Sequence, residues 1–299
     1  MIIKSLDRLV ELAAQKGPKK LVVAVATDED VLKAVNEAVQ KRLVVPVLVG
    51  DKGEIEKIAK AAGIQINGLE IIHEPDKNAA CILSVKLIRE GKGDILMKGH
   101  VSTSQLVKAI LDKELGLLQG GLLSHVAFFQ SPYYSKIICI TDAGLNIAPD
   151  FNEKVAIVKN AVATCHKLGI VNPLVAILAP VETVNPKLEA TVHAAMLTMM
   201  QKRNQITGCV IDGPLALDNA VSIEAAKHKG LVSDVAGNSD VLVTPDLNAG
   251  NMLYKSLNFL GGAVCAAVVS GASVPVVLTS RADEDRSKFL SIALAVVIS

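Results

Sequence analysis

LVVAVATDEDVLKAVNEAVQKRLVVPVLVG, Leu21 to Gly50, decides the fold class. An apolar run, a segment with helical spacing and a second apolar run follow one another without a gap. This is the βαβ pattern of two parallel strands joined by a crossover helix. Asp28 and Asp30 stand where a helix N-terminus favours carboxylates, and Gly50 closes the second strand. Toward the C-terminus the rhythm continues through the helix GEIEKIAKAAG, the strand LEIIH, a helix from about Lys77 to Glu90, the strand DILMKG and a helix from about Thr103 to Asp112.

At LLSHVAFFQ and KIICITD the rhythm changes. Only SPYYS separates these runs, too little for a crossover, so they read as an antiparallel pair near a domain boundary. From Asp150 the alternation resumes: Val155, Val158, Val162 and Cys165 share one helical face, and VAILA follows as a strand. The helix LEATVHAAMLTMMQK, the run GCVIDG, the region from Asn219 to His228 and the strand SDVLVT come next. A long apolar helical region then extends to about Ser270. The strand VPVVLT and a helix from about Glu284 to Val297 close the series.

Composition agrees with an α/β class. Of 299 residues, 51% are hydrophobic but only 3% aromatic, so the core draws on Ala, Val, Leu and Ile, the mixture of parallel sheets and their covering helices. A formal net charge of +1, spread along the chain, excludes a basic face for nucleic acid. MIIKSLDRLVELAAQKG carries charges in its first helical turns, unlike a signal peptide or membrane span, and ALAVVIS near the C-terminus is too short to cross a bilayer. The expected location is the cytoplasm. Cys81, Cys139, Cys165, Cys209 and Cys265 lie far apart in apolar segments without CxxC spacing, and read as reduced core thiols.

Four junctions carry polar groups that buried strands do not need. In VPVVLTSRADEDR, Ser280 and Arg281 follow a strand and precede a helix, where free amides, the helix dipole and a guanidinium fork suit phosphate or carboxylate. The same spacing also reads as Ser280 capping the helix, with Asp283 completing a capping box and Arg281 in solvent. In DILMKGHVSTSQLVKAIL, Lys98, Gly99 and His100 lead into Ser102, Thr103 and Ser104, which can cap a helix and donate hydroxyls to phosphate. In GNSDVLVTPDLNAGNMLYK, Asp246, Asn248, Gly250 and Asn251 gather after a strand, as a close-approaching ligand or an ordinary turn requires. Ser124, His125 and Asp142 punctuate apolar strands, as ligand contacts or as satisfied core polar groups. No GxGxxG follows a strand, and neither a P-loop, HExxH, acidic metal cluster nor GxSxG elbow occurs. The residues alone indicate an anion-binding α/β enzyme.

MKGHVSTSQLVKAIL, LSHVAFF, ITDAGLNIAPD, DGPLALDNAVS, GNSDVLVTPDLNAGNMLYK and VVLTSRA, in this order, resemble the phosphate acetyltransferase and phosphate butyryltransferase family, with the butyryl branch closer. The resemblance implies two α/β domains with mostly parallel sheets, like isocitrate and isopropylmalate dehydrogenases, and an active cleft between them. It places one domain at 1–141 plus 274–299 and the other at 142–273. It implies reversible transfer of a short acyl group, butyryl or branched, between coenzyme A and inorganic phosphate by direct attack in a ternary complex. No metal or permanently bound cofactor is implied, and the chain is expected to form a homodimer or higher homo-oligomer. Ser280 and Arg281 match a family pair that stabilises developing charge, while Lys98, Gly99, His100, Thr103, Ser104, Ser124, His125, Asp246, Asn248, Gly250 and Asn251 are expected to bind phosphate or coenzyme A. The acetyl branch has a thiol-deprotonating aspartate seven positions after its serine; Ser287 stands there, with Asp283 and Asp285 as nearby substitutes. An arginine of that branch falls on Lys108. The alternatives are acetyl transfer, a nicotinamide-dependent dehydrogenase of related fold, and a non-catalytic binder of coenzyme A or acyl phosphate.

Overall fold

The structure is a computed structural model that describes residues 5–119, 121–278 and 284–299. The chain divides into two compact units, one comprising residues 7–121 and 266–299, the other the N-terminal residues through Leu6 together with Leu122–Cys265. The sequence had placed the divisions at 141/142 and 273/274. The SHVAFFQ–IICIT hairpin lies in the second unit because its second strand pairs in parallel with a strand of that unit.

The first unit opens with α1 (Asp7–Lys16), β1 (Lys19–Ala24), α2 (Glu29–Gln40), β2 (Val44–Gly50), α3 (Lys52–Ala61), β3 (Glu70–His73), α4 (Lys77–Arg89), β4 (Ile95–Lys98) and α5 (Thr103–Ile110). The second unit contributes β5 (Ser124–Gln130), β6 (Ile137–Thr141), α6 (Phe151–Lys167), β7 (Leu174–Leu178), α7 (Glu189–Lys202), β8 (Val210–Leu215), α8 (Leu217–Val221), α9 (Ile223–His228), β9 (Val241–Val243) and α10 (Leu247–Phe259). Then follow β10 (Val264–Ser270), β11 (Val276–Val277) and α11 (Asp285–Ile298). The division at 265/266 falls inside β10.

In the first unit the strand order is β3-β2-β1-β4-β11-β10, parallel except for the antiparallel β10–β11 contact. The LVVAVAT–VVPVLVG pair is in register from Lys19 with Val44 to Ala24 with Val49. Asp28 caps α2 by accepting from the Val31 amide at 3.0 Å, as its position before the helical spacing requires. In α11, every residue from Lys288 to Ile298 is buried, and the helix packs on α1 and α2. Its uniformly apolar tail, ALAVVI, is thus a core helix, hydrophobic all round because it is enclosed all round. Among the described residues no helix is long and apolar enough to cross a membrane.

In the second unit the order is β5-β6-β9-β7-β8, parallel except for the β5–β6 hairpin. Its register sets Ala127 opposite Ile140, bringing the start of β5 beside the end of β6. One expectation fails here. The apolar region expected to run as helix to about Ser270 is two elements, with α10 ending at Phe259 and β10 starting at Val264. Gly262, at φ 58°, takes the left-handed conformation that stops a helix, and the valines beyond it suit a buried strand. Periodicity cannot separate the two states where both faces are buried. All five cysteines are buried, and none is in a disulfide.

Candidate functional site

In the first unit the chain runs from β1 outward to β2 and β3 and then returns to β4 on the other side of β1, so the sheet order reverses between β1 and β4. Ligands of doubly wound sheets bind beyond the strand C-termini at such a point. Here β1 ends at Ala24–Val25 and β4 at Lys98–Gly99, and the two ends are bonded: the Gly99 amide donates to Ala24 O at 2.8 Å and the His100 amide to Val25 O at 2.7 Å. A side chain at Gly99 has no room, since a Cβ there would lie 2.1 Å from Val25 O. Val25 itself has φ 58°, an outlier for a β-branched residue, and is buried. Strain of this kind persists where the surroundings over-determine it, and it clusters at functional sites.

Lys98 is buried, and its ammonium donates to the carbonyls of Gly99 and Val101, both at 3.2 Å. The lysine therefore shapes the loop that follows β4. His100 is exposed, with Nδ1 3.7 Å from Asp28 Oδ2 at the start of α2. Ser102 caps α5 in a capping box with Gln105, so Thr103 and Ser104 occupy the first turn, where amides point out of the helix end. The Lys98–Ser104 grouping read from the sequence follows the two bonded strand ends, with Lys98 and Gly99 buried and His100, Ser102 and Ser104 exposed.

In the second unit the other two sequence groupings converge on Asp142, the last of the three polar residues that punctuate its apolar strands. Asp142 is 2% exposed, and its Oδ1 accepts from the amides of Gly144 at 2.7 Å and Leu145 at 2.9 Å. Its Oδ2 accepts from the His125 amide at 3.1 Å and Asn146 Nδ2 at 2.5 Å. One buried carboxylate thus ties the start of β5 to the loop after β6. The first turn of α10 rests on the same loop: a Cβ at Gly250 would lie 2.3 Å from Asp142 O, and Asn251 Nδ2 donates to Ala143 O at 3.3 Å. Asp246 caps α10 through the Ala249 amide, and Asn248 is exposed beside it. Ser124 Oγ accepts from Asn160 Nδ2 at 2.9 Å, and the His125 ring stands edge-on to Tyr254, 3.1 Å from where a Cβ at Gly144 would lie. The signal for Asp142 was present as TDAGLN, an aspartate directly after a buried strand and before small residues. Its value became visible only once the hairpin register was known.

Ser280, Arg281 and Asp283 lie outside the described residues. Asp285 is the first residue of α11 and is exposed. Glu284 holds the N-cap position of that helix, and the capping-box reading of Ser280 with Asp283 falls outside the described residues. Among the described residues no cluster of His, Cys, Asp and Glu could hold a metal ion.

Between α6 and α7 lies a further polar pair. Lys154, in the first turns of α6, is 5% exposed, and its Nζ lies 3.0 Å from His193 Nδ1 on α7. Burial lowers the pKa of Lys154, opposed by Glu189, Asp246 and Asp150; burial, and then the neighbouring ammonium, lower that of His193.

The chain is similar to known proteins along its whole length. Residues 5–82 and 73–296 match the family described as "Phosphate acetyl/butaryl transferase". A phosphate butyryltransferase of Clostridium acetobutylicum is 43% identical over 298 residues, covering 100% of this chain and 99% of that protein. A phosphate acetyltransferase of Thermotoga maritima is 43% identical over 294 residues, covering 98% and 99%. Among solved structures, a branched-chain phosphotransacylase from Enterococcus faecalis V583 superposes with a TM-score of 0.82 at 33% identity, covering 93% of this chain and 98% of the other.

Proposed function

Because the chain belongs to the phosphate acetyl/butyryl transferase family, we propose that it moves a short acyl group, butyryl or branched, reversibly between coenzyme A and inorganic phosphate. The observation that carries this reading is full-length identity to a phosphate butyryltransferase, with neither chain leaving a substantial segment unmatched. Acetyl transfer is the second reading, favoured by an acetyltransferase of equal identity.

In the forward direction a phosphate oxygen attacks the thioester carbonyl carbon, charge grows on the carbonyl oxygen, and the carbon–sulfur bond breaks to release the thiolate. In reverse the thiolate attacks the acyl phosphate. Ser280 and Arg281 are proposed to steady the oxyanion and the phosphate, since a donor aimed at developing charge contributes about 3 kcal/mol. Asp285 or Asp283 is proposed to take the thiol proton. Lys98, Gly99, His100, Thr103, Ser104, Ser124, His125, Asp246, Asn248, Gly250 and Asn251 are proposed to bind phosphate or coenzyme A. Holding both substrates together makes a covalent acyl-enzyme unnecessary. The proposal includes a cytoplasmic homodimer or higher homo-oligomer without a permanently bound cofactor.

The test follows thiol release from a panel of acyl-CoA substrates, acetyl to branched five-carbon, with and without phosphate. Phosphate-dependent release greatest with four- or five-carbon chains is expected, with discrimination of about 1–3 kcal/mol per methylene. No phosphate-dependent release from any short acyl-CoA rejects the activity, and a preference for acetyl-CoA selects the second reading.

A further inference from the structure

The parallel strands β1, β4 and β11 of the first unit are followed by α2, α5 and α11, so these three helices start at one end of the sheet. At that end α11 is tied to its neighbours by side chains. Lys288, in its first turn, is 3% exposed, and its Nζ donates across 3.5 Å to Oδ2 of Asp30, the second residue of α2, in an ion pair. One turn further, Ser291 Oγ accepts from the Ala267 amide of β10 at 2.9 Å and donates to Ser287 O at 2.7 Å, two roles that one hydroxyl can fill together. Arg286 reaches Asp7 of α1 at 2.7 Å, with both side chains more than half exposed. The first two turns of a helix that is apolar beyond Ser291 are thus bonded to a strand and to two helices.

Withdrawing an ammonium from water costs about what its carboxylate partner returns, so the Lys288–Asp30 pair adds little net stability. What such a pair fixes is register. We propose that Lys288 is a positioning residue for the transfer reaction: through Asp30 it sets the first turn of α11 against the start of α2. Asp285, one of the two proposed proton acceptors, opens that turn three residues before Lys288 and so lies on the same side of the helix. The chain that carries Ser280 and Arg281 enters the helix there too. At the other partner, α2 is capped by Asp28, whose Oδ2 lies 3.7 Å from His100 Nδ1 in the loop after β4. The pair therefore joins the helix start that bears a proposed base to the helix start beside a proposed phosphate ligand. Without the ammonium, α11 keeps its apolar packing and its Ser291 bonds, but its first turn can shift. The inference rests on the acyl-transfer reading for its kinetic consequence and not for the packing of the helix starts.

Lys288→Met keeps the length of the stem and removes the charge; Asp30 is half exposed, so water solvates the carboxylate left behind. In phosphate-dependent thiol release kcat should fall about ten- to a hundredfold, the upper figure being the scale of a 1 Å misplacement, while KM for acyl-CoA changes less than about threefold, since neither side chain is placed on that substrate. Asp30→Asn should lower kcat by a similar factor. The double variant should be no slower than either single one, because each removes the same contact. Lys57→Met is the control: its ammonium also lies 3.5 Å from a carboxylate, Glu54, but both are more than half exposed on α3, and kcat should be unchanged. Amide hydrogen exchange of the first two turns of α11 should quicken about tenfold in Lys288→Met and not in Lys57→Met. An unaltered kcat in Lys288→Met, a loss confined to KM, losses that multiply in the double variant, or unaltered exchange each overturns the proposal. If Lys288→Met does not fold, Asp30→Asn decides by kcat and exchange. If the unchanged chain releases no thiol with any acyl-CoA, the acyl-transfer reading fails instead, and the exchange measurement alone judges the pair.

Discussion

Gly99→Ala tests whether the ends of β1 and β4 form a surface that tolerates no side chain. The added methyl would sit 2.1 Å from Val25 O, 2.7 Å from Val25 C and 2.9 Å from Ala24 O. All three atoms are backbone, so no rotamer change relieves the contact. The strand ends must part by about 1 Å to reach ordinary contact distance, and a close-packed interior resists such movement. Overpacking of this kind costs about 1–3 kcal/mol. At roughly 2–4 °C per kcal/mol, the thermal midpoint should drop by about 2–12 °C. The same displacement moves Lys98, His100 and the start of α5, so kcat/KM for phosphate-dependent thiol release should fall up to about a hundredfold. Gly53→Ala is the matched control: Gly53 lies in the first turn of α3, and its nearest neighbour to a new Cβ is Asp51 Oδ1 at 3.4 Å. Helical Gly→Ala there should be neutral or stabilise by up to about 1 kcal/mol. Calorimetry and the thiol assay on both variants decide. A Gly99→Ala protein with unchanged midpoint and kinetics, or equal losses in both variants, refutes the reasoning.

Asp142→Asn keeps the acceptor for Gly144 and Leu145 but turns an NH2 toward the His125 amide and Asn146, losing two bonds to a charged acceptor at about 1.5 kcal/mol each. Urea unfolding should show a loss of about 3 kcal/mol or more, and a loss under about 1 kcal/mol contradicts the hub assignment. Arg281→Ala should lower kcat about a hundredfold or more while leaving the fold intact, and an unchanged kcat removes it from the chemistry. Because His193 is depressed in the fold, its stabilisation is complete above the unfolded imidazole pKa and declines as pH falls through that value, where the unfolded chain takes the proton first. His193→Asn should flatten that part of the stability curve. Burial pushes the thiols of Cys81 and Cys209 up to about 11, and all five cysteines are enclosed, so maleimide should label the chain only after denaturant is added. Rapid labelling of the native protein is the contrary result.

Much of this could be read before any coordinates. The Leu21–Gly50 stretch specified a parallel pair, because alternation of apolar runs with helical spacing leaves few other ways to bury both. The short SPYYS connection required the antiparallel β5–β6 hairpin, and Asp28 and Ser102 announced the helices they cap. The family blocks named the polar groups after β4 and β9. The helix–strand change between Phe259 and Val264 was hidden, since apolar content looks the same in a buried helix and a buried strand.

What the sequence determined by itself was local: element type wherever periodicity or a cap was clear, and residue chemistry at strand ends. Tertiary structure alone decided which of those groups share a carboxylate. Asp142 reaches His125, 17 positions before it, through hairpin register, and its carbonyl meets Gly250 through the parallel pairing of β6 with β9. The Lys154–His193 pair likewise arises because consecutive crossovers begin their helices at one end of a sheet. Contacts of that range depend on register and layer packing, quantities that no local pattern of side chains encodes.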